Sequence, residues 1–406
     1  MNEVHEFGTI VLLVAAGFAL AVASSRLSER FSIPGPAIFL IAAAVISDLP
    51  SGIADAVTVR QVERIGVVAL IVILFDGGAR IGMRRLRIAS VPVVLLGVFG
   101  TFATAALVTV VAHTLLDFSW ITSGLIGAAI APTDPAVMFS VLGKREVSGP
   151  TGTILEGESG VNDPVGIALM IGIIEMATKD NAGFSTVVWE FLSEMTVGLA
   201  VGLAGAYALA LAMRNVRLPS AGLYPIRTLA AAGVIYGAAS VLHGSGFLAV
   251  FVAGLIVGDI RAPYQQETTR VMTSLASIAE IVVFAALGLT IDLASFDREW
   301  WLNGIVLAVL LALVIRPLVV GALLAPARLA LGERLFVMWG GLKGAVPIFL
   351  AAFAVLAAVD DALEIYGIVF VVVALSVLVQ GSTIPAAASL LKVPMRVIEQ
   401  EPPERA

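Results

Sequence analysis

Cysteine is absent from this chain and histidine occurs three times at scattered positions, so disulfides, covalent haem attachment, thiolate metal centres and a histidine metal cluster are all excluded. Charge is scarce as well. Asp, Glu, Lys and Arg make up 13% of the 406 residues, where soluble globular domains approach about a quarter. No Walker A sequence occurs, which argues against an ATP-driven pump. GSGFLA (244–249) matches G-x-G-x-x-A by letter, yet it opens an apolar stretch with no strand before it. HEFGT (5–9) lacks the second histidine of H-E-x-x-H. Neither dinucleotide binding nor a metalloprotease follows.

What fills the chain instead is hydrophobic sequence, 59% of residues, with a mean hydropathy of +1.01. Apolar runs long enough to cross about 30 Å of hydrocarbon recur from end to end, and the linkers leave no room for a soluble domain. The expected fold class is therefore an all-α polytopic membrane protein of about 13 transmembrane helices. The spans are read near 7–25, 34–50, 62–78, 88–113, 119–142, 158–178, 186–213, 225–242, 244–260, 271–290, 301–325, 333–358 and 362–391. The first resembles a signal peptide at AVASS, but Glu3 and Glu6 precede it with no Lys or Arg, so it is read as a span. Connections after odd-numbered spans, with the tail, hold 18 of the 24 basic residues and the other side holds four. Basic loops stay cytoplasmic, so the N-terminus is expected outside and the C-terminus inside. The remaining two, Arg316 and Lys343, lie within apolar spans.

An offset of 210 residues aligns IPGPAIFLIAAAVISDL (33–49) with HGSGFLAVFVAGLIVGD (243–259), and brings IAPTDPAV (130–137) close to GGLKGAVP (340–347). The two members of each pair are seven spans apart and cross in opposite directions. The expected architecture is two inverted six-helix repeats with interrupted crossing helices, a layout that marks a mid-membrane binding site. Repeat one covers about 7–178, a linking helix about 186–213, repeat two about 225–391, and a cytoplasmic tail 392–406.

In IAPTDPAV, Pro132 and Pro135 cannot donate to the carbonyls of Ala128 and Ala131, so the helix must open there. Freed backbone oxygens at membrane depth need protein, water or an ion to satisfy them, and Thr133 and Asp134 add side-chain oxygens. A simple proline kink is the alternative. In LEGESGVNDPVGIALM (155–170), Glu158, Ser159, Asn162 and Asp163 fall within about 140° of one helix face, able to point into one cavity. Such oxygens suit hard cations. The alternative is a helix cap at the head of the span, with its acids among lipid headgroups as expected for Glu156. Arg316 in mid-span cannot lose its proton and therefore needs a carboxylate, Glu158 or Asp163, with Glu158 favoured. Lys343 is read as facing a half-helix end or balancing Asp134. Asp76 and Glu280 lie nearer span ends and read as solvated or structurally paired acids.

These stretches, with LFDGGAR (74–80), TDPAVMFSVLG (133–143), ESGVNDP (158–164), LPSAGLYP (218–225), GSGFLAV (244–250), IRPL (315–318) and WGGLKGAVPI (339–348), resemble monovalent cation/proton antiporters of the NhaP-type branch over essentially the whole chain. The resemblance implies a 13-helix fold with transport and dimerisation bundles, hence a homodimer in the lipid bilayer of the cell (inner) membrane. It also implies an Asn-Asp pair where electrogenic relatives carry two aspartates, and so electroneutral exchange. Asp163 would be the ion- and proton-binding carboxylate and Asn162 its structural partner. Thr133, Glu158 and Ser159 would surround the site, beside Asp134. The transported monovalent cation would sit at Asp163, Thr133 and Ser159, and Arg316 would pair with Glu158. No cofactor beyond the transported H⁺ and K⁺ or Na⁺, no enzymatic activity, no nucleic acid and no soluble protein partner are expected.

FDGGAR, LPSAGLYP and VQGSTIP are most similar to the subgroup of potassium/proton, cell-volume-regulating antiporters, whose members usually continue into a cytoplasmic regulatory region. The chain stops at EQEPPERA, so it reads as a truncated chain or a bare membrane core. Lys343 stands where many relatives have arginine. A cation channel and a cation-coupled solute symporter are the rival functions, with an intramembrane hydrolase more distant.

Overall fold

The computed structural model describes Ala19 and residues 33–49, 58–142, 145–179 and 183–397. The predicted first span, 7–25, lies outside the described residues except for Ala19. Each of the other predicted spans coincides with helix.

In chain order, α1 is Gly35–Ser47 and α2 Val59–Val94, which passes through a π-helical turn, Leu95–Gly100, into α3, Thr101–Leu115. Next come α4, Trp120–Ile130, and α5, Pro135–Leu142, then strand β1, Arg145–Val147, and the long α6, Pro150–Thr178. Helix α7 is Phe184–Asn215, followed by α8, Leu223–Val241, α9, Gly246–Gly258, and α10, Gln265–Leu289. Helix α11, Arg298–Leu310, continues through a π turn, Leu311–Ile315, into α12, Arg316–Leu323. The interrupted pair α13, Leu331–Trp339, and α14, Ala345–Leu356, precedes α15, Ala362–Leu375. A third π turn, Ser376–Gly381, leads to α16, Ser382–Leu390, and β2, Met395–Val397, pairs antiparallel with β1.

The 210-residue offset recurs in these boundaries. Helices α1 and α9 are both 13 residues long. The α4–α5 break at 131–134 has its counterpart in the α13–α14 break at 340–344. Ten of the 13 residues of α9 are buried, as expected of a helix that is apolar all round, because it packs against α2, α7 and α8.

Two predicted boundaries need correction. Helix α6 begins at Pro150, eight residues before Glu158, so the ESGVND stretch is two turns inside the helix and not at its head. Pro150 can start the helix because its missing N–H is an orphan at that position, and Gly149 supplies the preceding φ of +75°. The spans read at 62–78 and 88–113 are joined by helix. Gly82, at φ +66°, turns the chain, and the Asp259 carboxylate accepts from Arg84 N at 2.8 Å to cap the next piece. The basic residues expected in a loop therefore lie on a short helical link.

Candidate functional site

Two broken helices cross here, and the sequence dictates both breaks. Prolines open the α4–α5 connection, while in the α13–α14 connection Gly344 lies against Asp134 and Gly341 leaves room for the Arg316 side chain. The crossing is tied by the backbone, since Asp134 N donates to Leu342 O at 2.8 Å. Gly344 is needed for its size: a Cβ there would fall on the Asp134 side chain. Gly344→Ala is expected to cost about 1 to 3 kcal/mol of stability, the usual overpacking penalty, and thermal unfolding in detergent would reveal it as a lower melting temperature.

Each half-helix C-terminus leaves unpaired carbonyls and the negative end of its dipole. Basic side chains meet both. Lys343 Nζ donates to Ala131 O and Pro132 O, each at 2.9 Å, at the end of α4. Arg316 donates through Nη2 to Val337 O and through Nε to Met338 O, each at 3.2 Å, at the end of α13. Lys343 thus faces a half-helix end, one of its two expected roles. It occupies the Ala131 oxygen that Pro135 frees, so that carbonyl is not open to a cation in this state.

The second half of the first broken helix begins just after Asp134. Asp134 caps α5, its Oδ1 accepting from Ala136 N at 2.9 Å. Behind it, Arg316 makes the expected pair with Glu158 in bidentate form, Nη1 to Oε1 at 2.8 Å and Nη2 to Oε2 at 3.1 Å. Both side chains are buried. Thr133 Oγ1 accepts from Asn162 Nδ2 at 2.8 Å and lies 3.4 Å from Glu158 Oε1, to which it donates. Thr133, Asn162, Glu158 and Arg316 therefore form one continuous polar chain.

Asp163 is 5% exposed, and its Oδ1 has no hydrogen-bond partner among the described residues. It lines, with Ser159 and Asp134, a cavity of about 650 Å³ that extends to the partly exposed Arg80 and Arg85. Of the predicted site residues, Asp163, Ser159 and Asp134 form part of the cavity wall, while Thr133, Glu158, Asn162, Arg316 and Lys343 are not among its lining residues. The described residues contain no group of three or more His, Cys, Asp or Glu arranged to hold a metal ion. Glu156 lies at the cavity wall, 3.8 Å from Arg85.

Several contributors escape the sequence pattern. Ser376 Oγ accepts from Lys343 N at 2.9 Å and Gln380 Nε2 donates to Trp339 O at 2.6 Å, so the third π turn braces the second break. Their only signal was polarity within an apolar span. Asp76 is a structural pair as expected, held by Arg80 Nε at 2.7 Å and Thr273 Oγ1 at 2.9 Å. Glu280, read as solvated or structurally paired, makes no ion pair among the described residues; it is partly exposed on the cavity wall, and its buried Oε1 has no hydrogen-bond partner among them.

Residues 13–390 match the sequence family described as sodium/hydrogen exchanger, transmembrane. A K(+)/H(+) antiporter NhaP2 of Shewanella sp. strain ANA-3 is 33% identical over 398 residues, covering 97% of this chain and 68% of that one. A K(+)/H(+) antiporter NhaP of Alkalimonas amylolytica is 32% identical over 384 residues, 94% of this chain and 67% of that one. The fold is similar to that of the sodium proton antiporter MjNhaP1 from Methanocaldococcus jannaschii, with a TM-score of 0.78 at 20% identity over 95% of this chain and 99% of that one. Sequence match along nearly the full span and a shared fold lead to one conclusion, that the chain belongs to the transmembrane sodium/hydrogen exchanger family.

Proposed function

We propose that the protein is a secondary antiporter exchanging a monovalent cation, K⁺ or Na⁺, for H⁺ by competition at Asp163. One observation carries this reading: a buried carboxylate with an unpartnered oxygen stands at the wall of a water-sized route from one face to the crossing of two broken helices. An unpaired charge at that depth is costly, so the carboxylate must be neutralised by a transient ligand. A proton and a hard cation are the ligands that carboxylate, hydroxyl and carbonyl oxygens can exchange. The cavity wall carries six carboxylates against three guanidiniums, a balance that draws cations inward.

The surrounding groups hold this carboxylate ready. Arg316 and Glu158 neutralise each other and anchor the end of α13, while Lys343 neutralises the end of α4. Asp163 is thereby left to change its ligand. One cation or one proton compensates one charge, which favours electroneutral exchange, and an empty charged site opposes crossing. Alternation follows from rocking of one bundle against the other. The repeat division at 7–178, 186–213 and 225–391, a cell (inner) membrane location with the N-terminus outside, and a homodimer complete the reading. The basic residues around the cavity mouth support a cytoplasmic opening. Outward-facing Trp189, Leu199, Leu203 and Tyr207 on α7 offer an apolar face for lipid or a second copy.

The test is dissipation of a pH gradient in proteoliposomes, with K⁺, Na⁺ and Li⁺ added in turn. Cation-driven proton movement supports the reading, and cation flux without proton counter-movement would turn it into a channel. In the same assay Thr133→Ala is expected to raise the cation concentration for half-maximal exchange while leaving partial turnover. It removes the acceptor that holds Asn162 and one oxygen near the site. A wild-type half-saturation would remove Thr133 from cation binding.

A further inference from the structure

The carboxylates on the cavity wall differ in what neutralises them. Asp76 is held by Arg80 and Thr273. Glu146 pairs with Arg396 at 2.6 Å and Glu156 faces Arg85 at 3.8 Å. Asp134 accepts a backbone N–H. Among the described residues three oxygens of these carboxylates have no hydrogen-bond partner, Oε2 of Glu156, Oδ1 of Asp163 and Oε1 of Glu280, and of the three groups only Glu156 forms an ion pair.

Glu280 belongs to α10, which packs against α1, α2 and α14, and it lines the same cavity as Asp163. Ala276, Ser277, Glu280, Val283 and Phe284 all line the cavity, a spacing that places one face of α10 along its wall. Glu280 is the charged side chain on that face, with apolar Val283 and Phe284 a turn further along. No structural interaction among the described residues requires its charge. A carboxylate kept part-buried without a fixed partner is neutralised by an exchangeable ligand, a proton or a mobile cation.

We propose that Glu280 is a second ligand for the transported monovalent cation, a waiting position in the cavity from which the ion passes to Asp163. This rests on the antiport reading above. Here Glu280 raises the local cation concentration beside Asp163 and sets apparent affinity; Asp163 performs the exchange.

The experiment measures exchange against K⁺ and then Na⁺ concentration in proteoliposomes holding the full chain, for wild type, Glu280→Gln and Glu280→Asp. Melting temperatures in detergent are taken in parallel. Glu280→Gln is expected to raise the half-saturating concentration about tenfold, the scale of one charge acting at short range in a partly solvated cavity. The rate at saturating cation should be retained, and the melting temperature should be equal or higher because an unpaired charge is removed. Glu280→Asp keeps the charge and should recover much of the affinity. A wild-type half-saturation for both cations in Glu280→Gln overturns the proposal. So does a lowered melting temperature with unchanged affinity, which would make the residue structural. Absence of cation-driven exchange in the wild type would instead remove the antiport reading, and this inference with it.

Discussion

Asp163→Asn is expected to abolish cation-driven proton exchange, reducing it to the level of protein-free liposomes, while the protein folds as before. Asparagine keeps the shape of the side chain but can neither carry the charge that attracts a cation nor take up and release a proton. The fold loses nothing by the change. Among the described residues Asp163 Oδ1 has no hydrogen-bond partner, and the neighbouring Asn162–Thr133 bond does not involve it. Removing an unpaired buried charge should leave the melting temperature unchanged or raised. Loss of exchange with an intact melting curve is thus the signature of a ligand-carrying group. Exchange at the wild-type rate in the purified variant would show that the two ions meet elsewhere.

Breaking the Arg316–Glu158 pair should do the opposite, damaging the fold first. Each single substitution, Glu158→Gln or Arg316→Gln, strands one charge in a site where both side chains are about 5% exposed, at a cost of about 3 to 5 kcal/mol. The two losses differ in kind. Arginine cannot shed its proton, so Glu158→Gln leaves a permanent charge, whereas the glutamate left by Arg316→Gln can be protonated. Arg316 also serves the Val337 and Met338 carbonyls, so the double substitution should recover much of the stability but not all. Melting temperatures of the four proteins in one detergent provide the measurement. Additive losses in the double variant would mean that the pair contributes no coupling.

The sequence by itself determined the broad design, because the signals involved are local and strong. Hydropathy alone requires helices in lipid, since no other open structure satisfies its own backbone there. Pro132 and Pro135 open α4–α5 wherever the rest of the chain lies, since a missing N–H is a property of the residue. Arg316 demanded a carboxylate for the same reason, and Glu158 was one of two within the polar face of α6. The 210-residue offset also located the second break before any contact was known.

The tertiary structure decided everything that depends on which segments cross. No local signal assigns Lys343 to Ala131 O and Pro132 O, 212 and 211 residues away. The same hydropathy profile fits a helix starting at Pro150 or at Glu158, because glycine, threonine and glutamate are tolerated once protein rather than lipid surrounds them. Asp76 and Glu280 look alike in sequence, each an acid near a span end. Packing brings Arg80 and Thr273 to the first and leaves the second unpartnered on the cavity wall, and a buried charge draws its meaning from its neighbours in space.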